Sequence, residues 1–301
     1  PDSLGVVDLV RDLWEAGLAG VVLGNHELNL LLGERKDGNG WFWGDPEDGF
    51  WVDRGSPVRV AYPSRPADER DRERALSFLE SLPLGAERED LRVAHACWDE
   101  DVFEAWRDEA GSVAELSRAY EREIRDDLDR RGVRTRAAEE RARHAGLLRP
   151  DAPPLERLEA VAEEDLAEQA LNPVKLVTSG PEELAATPFY AGGKWRFASR
   201  RRWWHDYGVD GPEPFAVVGH YWRQRFAAAT PQGRDDIFAG VGPWDWMGRP
   251  RRVFCVDYSV GRRYAERAIG VRDGFHNGLA ALRWPERQLV FDDWQRPIDI
   301  D

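Results

Sequence analysis

Three short apolar runs in this chain end in the same way: VVLGNHE leads to His26, LRVAHA to His95 and FAVVGH to His220. Brief stretches of Val, Leu and Ala closed off by Gly or a polar residue read as buried strands. In an open α/β sheet the carboxyl ends of neighbouring strands face a common crevice, and ligands bind there. A chain with six histidines that places three of them at strand ends is therefore expected to adopt an α/β fold with a site along one edge of its sheet. Neutral imidazole is the commonest metal-ligating side chain, so a metal centre is the first candidate for that site.

The flanking pattern agrees with such a fold. Val6, Leu9, Val10, Leu13 and Trp14 recur at three- and four-residue spacings, which predicts an amphipathic helix over residues 3–16 with Ser3 as cap and Gly17 as stop. Ala19 to Leu23 reads as a buried strand, and Glu27 to Leu32 starts another helix. The Trp- and Gly-rich stretch 41–57 is expected to be irregular, residues 67–82 helical, and Leu91 to Ala94 a short strand. Residues 100–170, dense in Arg, Glu, Asp and Ala, predict two or three charged surface helices broken at Gly132 and between 150 and 154. Strand-like runs resume afterwards at Val174–Val177, Phe215–Val218, Arg252–Val256, Leu279–Trp284 and Gln288–Phe291, the last two forming a hairpin that turns at 285–287. Residues 1–301 are thus read as a single domain, with 100–170 a helical insertion or cap within it.

Composition narrows the function classes. A hydrophobic fraction of 42% with 14 Trp indicates a packed globule. No apolar run approaches the roughly 18 residues a membrane span requires. A net charge of −14 disfavours nucleic acid and anionic membrane as partners. Cys97 and Cys255 provide no disulfide framework, so a reducing cytoplasm is the expected location. Within this acidic chain Lys194, Arg196, Arg200, Arg201 and Arg202 cluster. A local basic patch of that kind suits a small anionic group better than a polymer, and Arg196 or one of Arg200 to Arg202 is its candidate substrate contact, with Arg196 and Arg202 put first.

These motifs resemble those of a known family. The stretch PDSLGVVDLVRDLWEAGLAGVVLGNHELNLLLG is similar to the segment joining the second and third motifs of calcineurin-like metallophosphoesterases, in the branch of phosphoprotein phosphatases and bacterial symmetrical diadenosine tetraphosphatases. That family orders its motifs as GDxHG, GDxVDRG, GNHE or GNHD, a His-Ala/Gly motif and a Gly-His motif. Here GNHE is residues 24–27, the fourth motif is AHAC at 94–97, and the fifth is Gly219-His220. VFCVDYSVG and LAALRWPERQLVFD resemble the family's closing strands.

The resemblance implies a two-sheet sandwich flanked by helices and a hydrolase acting on phosphate esters at a binuclear centre of Mn, Fe or Zn. Carried over residue by residue, Asn25, His95 and His220 would ligate one metal, and His26 would protonate the leaving oxygen while water attacks phosphorus in line. GDxHG and GDxVDRG do not occur in this sequence, and Pro1 falls where the family's chain has just completed the second of them. The chain is accordingly expected to be an N-terminally truncated copy, with at most one of its two divalent ions well liganded and activity impaired or lost. VDRG at 52–55 follows GNHE and ends no apolar strand, so it is read as coincidence. The implied partners are a phosphorylated protein (at phosphoserine or phosphothreonine) or a small phosphoester or nucleotide. A symmetrical dinucleoside polyphosphate hydrolase and a non-catalytic binding protein remain the alternatives.

Overall fold

A computed structural model describes residues 2–300, apart from 37, 46, 54–55, 63, 108–110, 145, 147–148, 150, 155, 192–193 and 227–236; for 47–53 and 56–59 it describes the backbone alone. The chain runs through α1 (Ser3–Glu15), α2 (Asn25–Leu32), α3 (Gly40–Trp43), β1 (Glu47–Asp53), β2 (Ser56–Tyr62), α4 (Glu69–Glu80), β3 (Gly85–Arg88) and β4 (Leu91–Ala94). The helices α5 (Glu100–Arg107), α6 (Val113–Arg130), α7 (Val133–Arg143), α8 (Glu159–Ala170) and α9 (Pro173–Ser179) follow. The remainder comprises β5 (Glu182–Ala191), β6 (Lys194–Arg200), β7 (Phe215–Val218), β8 (Val253–Cys255), α10 (Val260–Ala268), β9 (Ala280–Arg283), β10 (Gln288–Phe291) and β11 (Ile298–Asp299).

The architecture is mixed α/β, with several sheets flanked by helices. A four-stranded sheet has the order β3–β4–β7–β8, and β4, β7 and β8 are parallel neighbours. Their carboxyl ends therefore lie side by side. Alternation along β8 splits the core: Val253 and Cys255 join one buried cluster and Phe254 another. The first cluster draws in Leu28 of α2, Phe78 and Leu79 of α4, and Val174 and Val177 of α9. The second holds Leu289 and Phe291 of β10 with Trp246 and Tyr258. Helices thus cover one face of the sheet, and the antiparallel sheet β11–β10–β9 covers the other. Burying each such large side chain contributes about 2 kcal/mol, which fixes the register of these very short strands.

Residues 100–170 contain helices α5 to α8, separated at Gly132 and around the prolines as expected, with a further break just before Ser112, whose side chain caps α6 in a reciprocal box with Glu115. Small clusters of their own hold α6 to α8 together: Ile124, Leu128 and Val133 form one, while Ala137, Leu158 and Val161 meet Phe197 of β6 in another. Buried Asn172 donates to Ser117 O and Oγ at 3.1 Å and so ties α6 to α9.

Several local readings are corrected. Residues 41–57 are not irregular: they hold α3 and most of the antiparallel β1–β2 hairpin, with part of the VDRG string outside the described residues. Val174–Val177 lies in a helix, because Asn172 accepts from the backbone N–H of Val174 and Lys175 and Pro173 occupies the first turn. Asp2, not Ser3, caps α1 by accepting from Gly5 N. Ala19–Leu23 is extended but joins no ladder among the described residues; Leu23 is fully buried and its N–H donates to Pro83 O at 2.8 Å.

Candidate functional site

The three parallel strands each hand the chain to a polar residue at the same edge. His95 follows β4 directly, Gly219-His220 follows β7, and Asp257 lies two residues beyond β8. Backbone bonds continue the alignment past the ladder, from Gly219 N to His95 O and from Val256 N to Val218 O, both 2.8 Å. Asn25 and His26 reach this edge from the first turn of α2. Asn25 Oδ1 lies 3.1 Å from His95 Nε2 and 3.3 Å from His220 Nδ1, and the two imidazole rings meet edge-on with centroids 5.3 Å apart. An amide oxygen with two lone pairs accepts from both ring N–H groups or, with the other tautomers, stands as the third donor around a cation.

Two backbone features make the convergence possible. At Gly24 a Cβ would sit 2.5 Å from Glu27 Oε2 and 2.9 Å from the His95 ring, so only glycine lets α2 approach β4 this closely. His220 has φ +67° and Trp222 has φ +56°, left-handed conformations that non-glycine residues adopt only at a cost. That backbone turns the His220 ring back towards Asn25.

Burial sets the charge state. Desolvation, reinforced by the positive charge of Arg200 and by the neighbouring His95 and His26, pushes His220 down to about 2. Desolvation also lowers His95, opposed by the carboxylates of Glu27 and Asp257. Both imidazoles are therefore neutral at physiological pH, the form in which imidazole ligates a metal. Cys255 and Cys97 are buried, and burial raises the Cys255 thiol to about 12 and raises Cys97 as well.

Comparison with models of protein families, with curated proteins and with solved structures returned no match. The site is accordingly read from its own geometry. A divalent ion held at about 2.1 Å by two donors separates them by about 3.0 Å at a right angle and about 3.4 Å at the tetrahedral angle. The distances from Asn25 Oδ1 to the two ring nitrogens fall in that window. Asn25 Oδ1 thus stands from each ring nitrogen at a distance that serves a hydrogen bond and that mixed N/O ligation of one divalent ion would also require. Among the described residues no group of three or more His, Cys, Asp or Glu side chains is arranged to hold a metal, so this set rests on its amide oxygen.

His26 is within electrostatic reach of both His95 and His220, and its backbone carbonyl accepts from Asn39 Nδ2 at 2.9 Å. Gly38 packs against its ring. The four residues singled out from the three strand-end motifs are therefore assembled in one place. The arginines divide differently. Arg196 lies along β6 with Nη2 3.9 Å from Glu182 Oε1, and Arg202 lies at the turn into Trp203–His205. Arg200, at the end of β6, is the guanidinium whose charge acts on both His95 and His220. Asp257 was passed over in the sequence, although VFCVD repeats the pattern of an apolar run closed by a polar residue.

Proposed function

We propose that this chain carries one half of the binuclear metal and phosphate site of a calcineurin-like phosphoesterase, a two-sheet sandwich with the 100–170 helices as an insertion, of the kind that hydrolyses phosphate monoesters of a protein or a small molecule, with the ligands of the other ion missing from the sequence and activity impaired accordingly. The observation that supports it most strongly is the meeting of Asn25 Oδ1 with His95 Nε2 and His220 Nδ1 beside Arg200. Those three residues would hold a divalent ion, which when bound supplies Lewis-acid polarisation of a phosphoryl oxygen. Arg200 would neutralise charge developing on the other oxygens. His26, half-buried in α2's first turn, would hold the proton passed to the leaving oxygen.

A second reading is a protein that binds one ion without turnover, and the absence of a carboxylate-rich metal cluster among the described residues favours it. Hydrolysis of p-nitrophenyl phosphate with added Mn²⁺ separates the two. Metal-dependent release of p-nitrophenol, lost in His26→Ala while Mn²⁺ is still bound, supports the phosphoesterase. A folded, Mn²⁺-loaded chain that turns over neither this ester nor a phosphopeptide nor diadenosine tetraphosphate leaves the binding protein.

A further inference from the structure

The loop that carries His220 also carries Trp222, and Trp222 is the least expected residue in it. Its side chain is 49% exposed although it is the largest of the apolar residues, and its backbone is held in the left-handed region. A half-exposed indole on a left-handed backbone is a costly combination, and such positions cluster where a chain binds a ligand. Two guanidinium groups address the same ring: Arg200 lies 5.5 Å from its centroid and Arg262, on α10, lies 4.8 Å from it. Arg262 also acts electrostatically on Tyr62, whose ring meets Tyr264 of α10 with centroids 5.5 Å apart. An aromatic and cationic wall therefore rises on the His220 side of the site, formed by the loop after β7, one face of α10 and the end of β2.

Its chemistry is asymmetric. Towards His220 it offers positive charge, since Arg200 bears on both histidines of the cation site. Beside that charge it offers a half-exposed indole with the guanidinium groups of Arg200 and Arg262 5.5 and 4.8 Å from its centroid, chemical groups on which a planar ring stacks favourably. A phosphate seated at Asn25, His95 and His220 would thus direct whatever is esterified to it towards Trp222. We propose that Trp222, with Arg200 and Arg262, forms a subsite for a planar aromatic group esterified to the phosphate, an aryl or nucleobase-bearing ester, and so selects aromatic over aliphatic phosphate esters. This proposal rests on the phosphoesterase reading and assigns its substrate class.

The test is calorimetric titration of the whole Mn²⁺-loaded chain with phenyl phosphate and, separately, with inorganic phosphate, in the wild type and in Trp222→Ala and Trp222→Phe. Phenyl phosphate is expected to bind about tenfold more tightly than inorganic phosphate. Trp222→Ala should remove most of that preference, weakening phenyl phosphate far more than inorganic phosphate, and Trp222→Phe, which keeps a ring, should retain it. A wild type that binds both ligands equally, or a preference that survives in Trp222→Ala, overturns the subsite and leaves the phosphoesterase reading standing. A Mn²⁺-loaded wild type that binds neither ligand breaks the phosphoesterase reading itself, and the subsite falls with it.

Discussion

The two sides of the candidate site are secured in different ways. On the side of His220 the chain is bolted down by buried arginines. Arg223, 2% exposed, donates from Nη2 to the carbonyls of Gly242 and Asp245, and its backbone N–H bonds Asp257 O at 2.8 Å. Arg225, 1% exposed, makes a bidentate pair with Asp293 and lies 4.2 Å from the Phe291 centroid and 4.6 Å from that of Trp294. On the side of Asn25 no buried arginine plays that part: Leu28 and Leu30 seat α2 in the core, Asn39 Nδ2 donates to His26 O, and the stretch 19–23 bonds through Ala19 N to Leu13 O and Leu23 N to Pro83 O, while α2 has no side-chain cap at Gly24 and α1 presents Val6 and Leu9 to solvent. The contrast follows from the backbone each side must adopt. Left-handed His220 and Trp222 each cost about 1–3 kcal/mol and persist only where the surroundings over-determine them, whereas Asn25 needs only the ordinary first turn of a helix. Where the conformation is unfavourable, the molecule applies its strongest restraints.

The largest expected effect comes from breaking the restraint. Arg225→Met removes the bidentate partner of Asp293, leaving it only Arg263 Nη1 at 3.6 Å, and should cost about 3 kcal/mol in urea unfolding, with weaker Mn²⁺ binding as the His220 loop loosens. A loss below about 1 kcal/mol would show that the loop is held by something other than this clamp. Next in size is the close approach at Gly24. Gly24→Ala drives a methyl into the His95 ring and Glu27 and should cost about 1–3 kcal/mol. Gly20→Ala, where a Cβ meets nothing within 4 Å, should change stability by less than about 0.5 kcal/mol. Equal effects at the two glycines would refute the packing argument.

The clamp also predicts a pH dependence. Asp293, paired first with Arg225, and Asp292, paired first with Arg263, are both held below the usual carboxylate range. A depressed carboxylate stabilises the fold fully above its unfolded value near 3.9, and that contribution disappears as pH falls through the lower folded value. Asp293→Asn should therefore reduce stability at neutral pH and flatten the fall in stability below about pH 4; an unchanged slope would remove Asp293 from the account. The smallest effect belongs to the side of Asn25. Leu9→Ser, on the exposed face of α1, should alter stability by less than about 0.5 kcal/mol, and a much larger loss would mean that this face is packed.

The pattern of what was legible in the sequence follows the same division. His95 and His220 could be read because a buried parallel strand writes itself as a continuous apolar run, and the residue after it is fixed at the sheet edge; His26 follows an apolar run that joins no ladder among the described residues and reaches the same edge from the first turn of α2. Asp257 obeys the same rule and was missed only because an acidic residue was not counted with the histidines. Val174–Val177 misled because four apolar residues suit a buried helix as well as a strand; the preceding Asn172-Pro173, cap and first-turn residue, held the deciding signal. The β5–β6 hairpin was overlooked because its Lys and Arg residues were read as a charge patch and not as one face of a pleated strand. Which arginine faces the site was not legible at all. Arg196 and Arg200 share a face of β6, four residues or about 13 Å apart along the strand; both lie near Glu182, which pairs with Arg200 across the hairpin, but only Arg200 bears on His95 and His220. Only the tertiary placement of the end of β6 distinguishes them, where Arg200 reaches the Tyr221 and Trp222 rings after β7.

The central claim is that Asn25, His95 and His220 form one cation site. Its most direct test is calorimetric titration with Mn²⁺ of the wild type and of Asn25→Leu, His95→Ala and His220→Ala, each shown to be folded by circular dichroism. The account predicts one ion bound by the wild type and an affinity lower by about a hundredfold or more in each variant. Mn²⁺ binding that is unchanged in both His95→Ala and His220→Ala would contradict it.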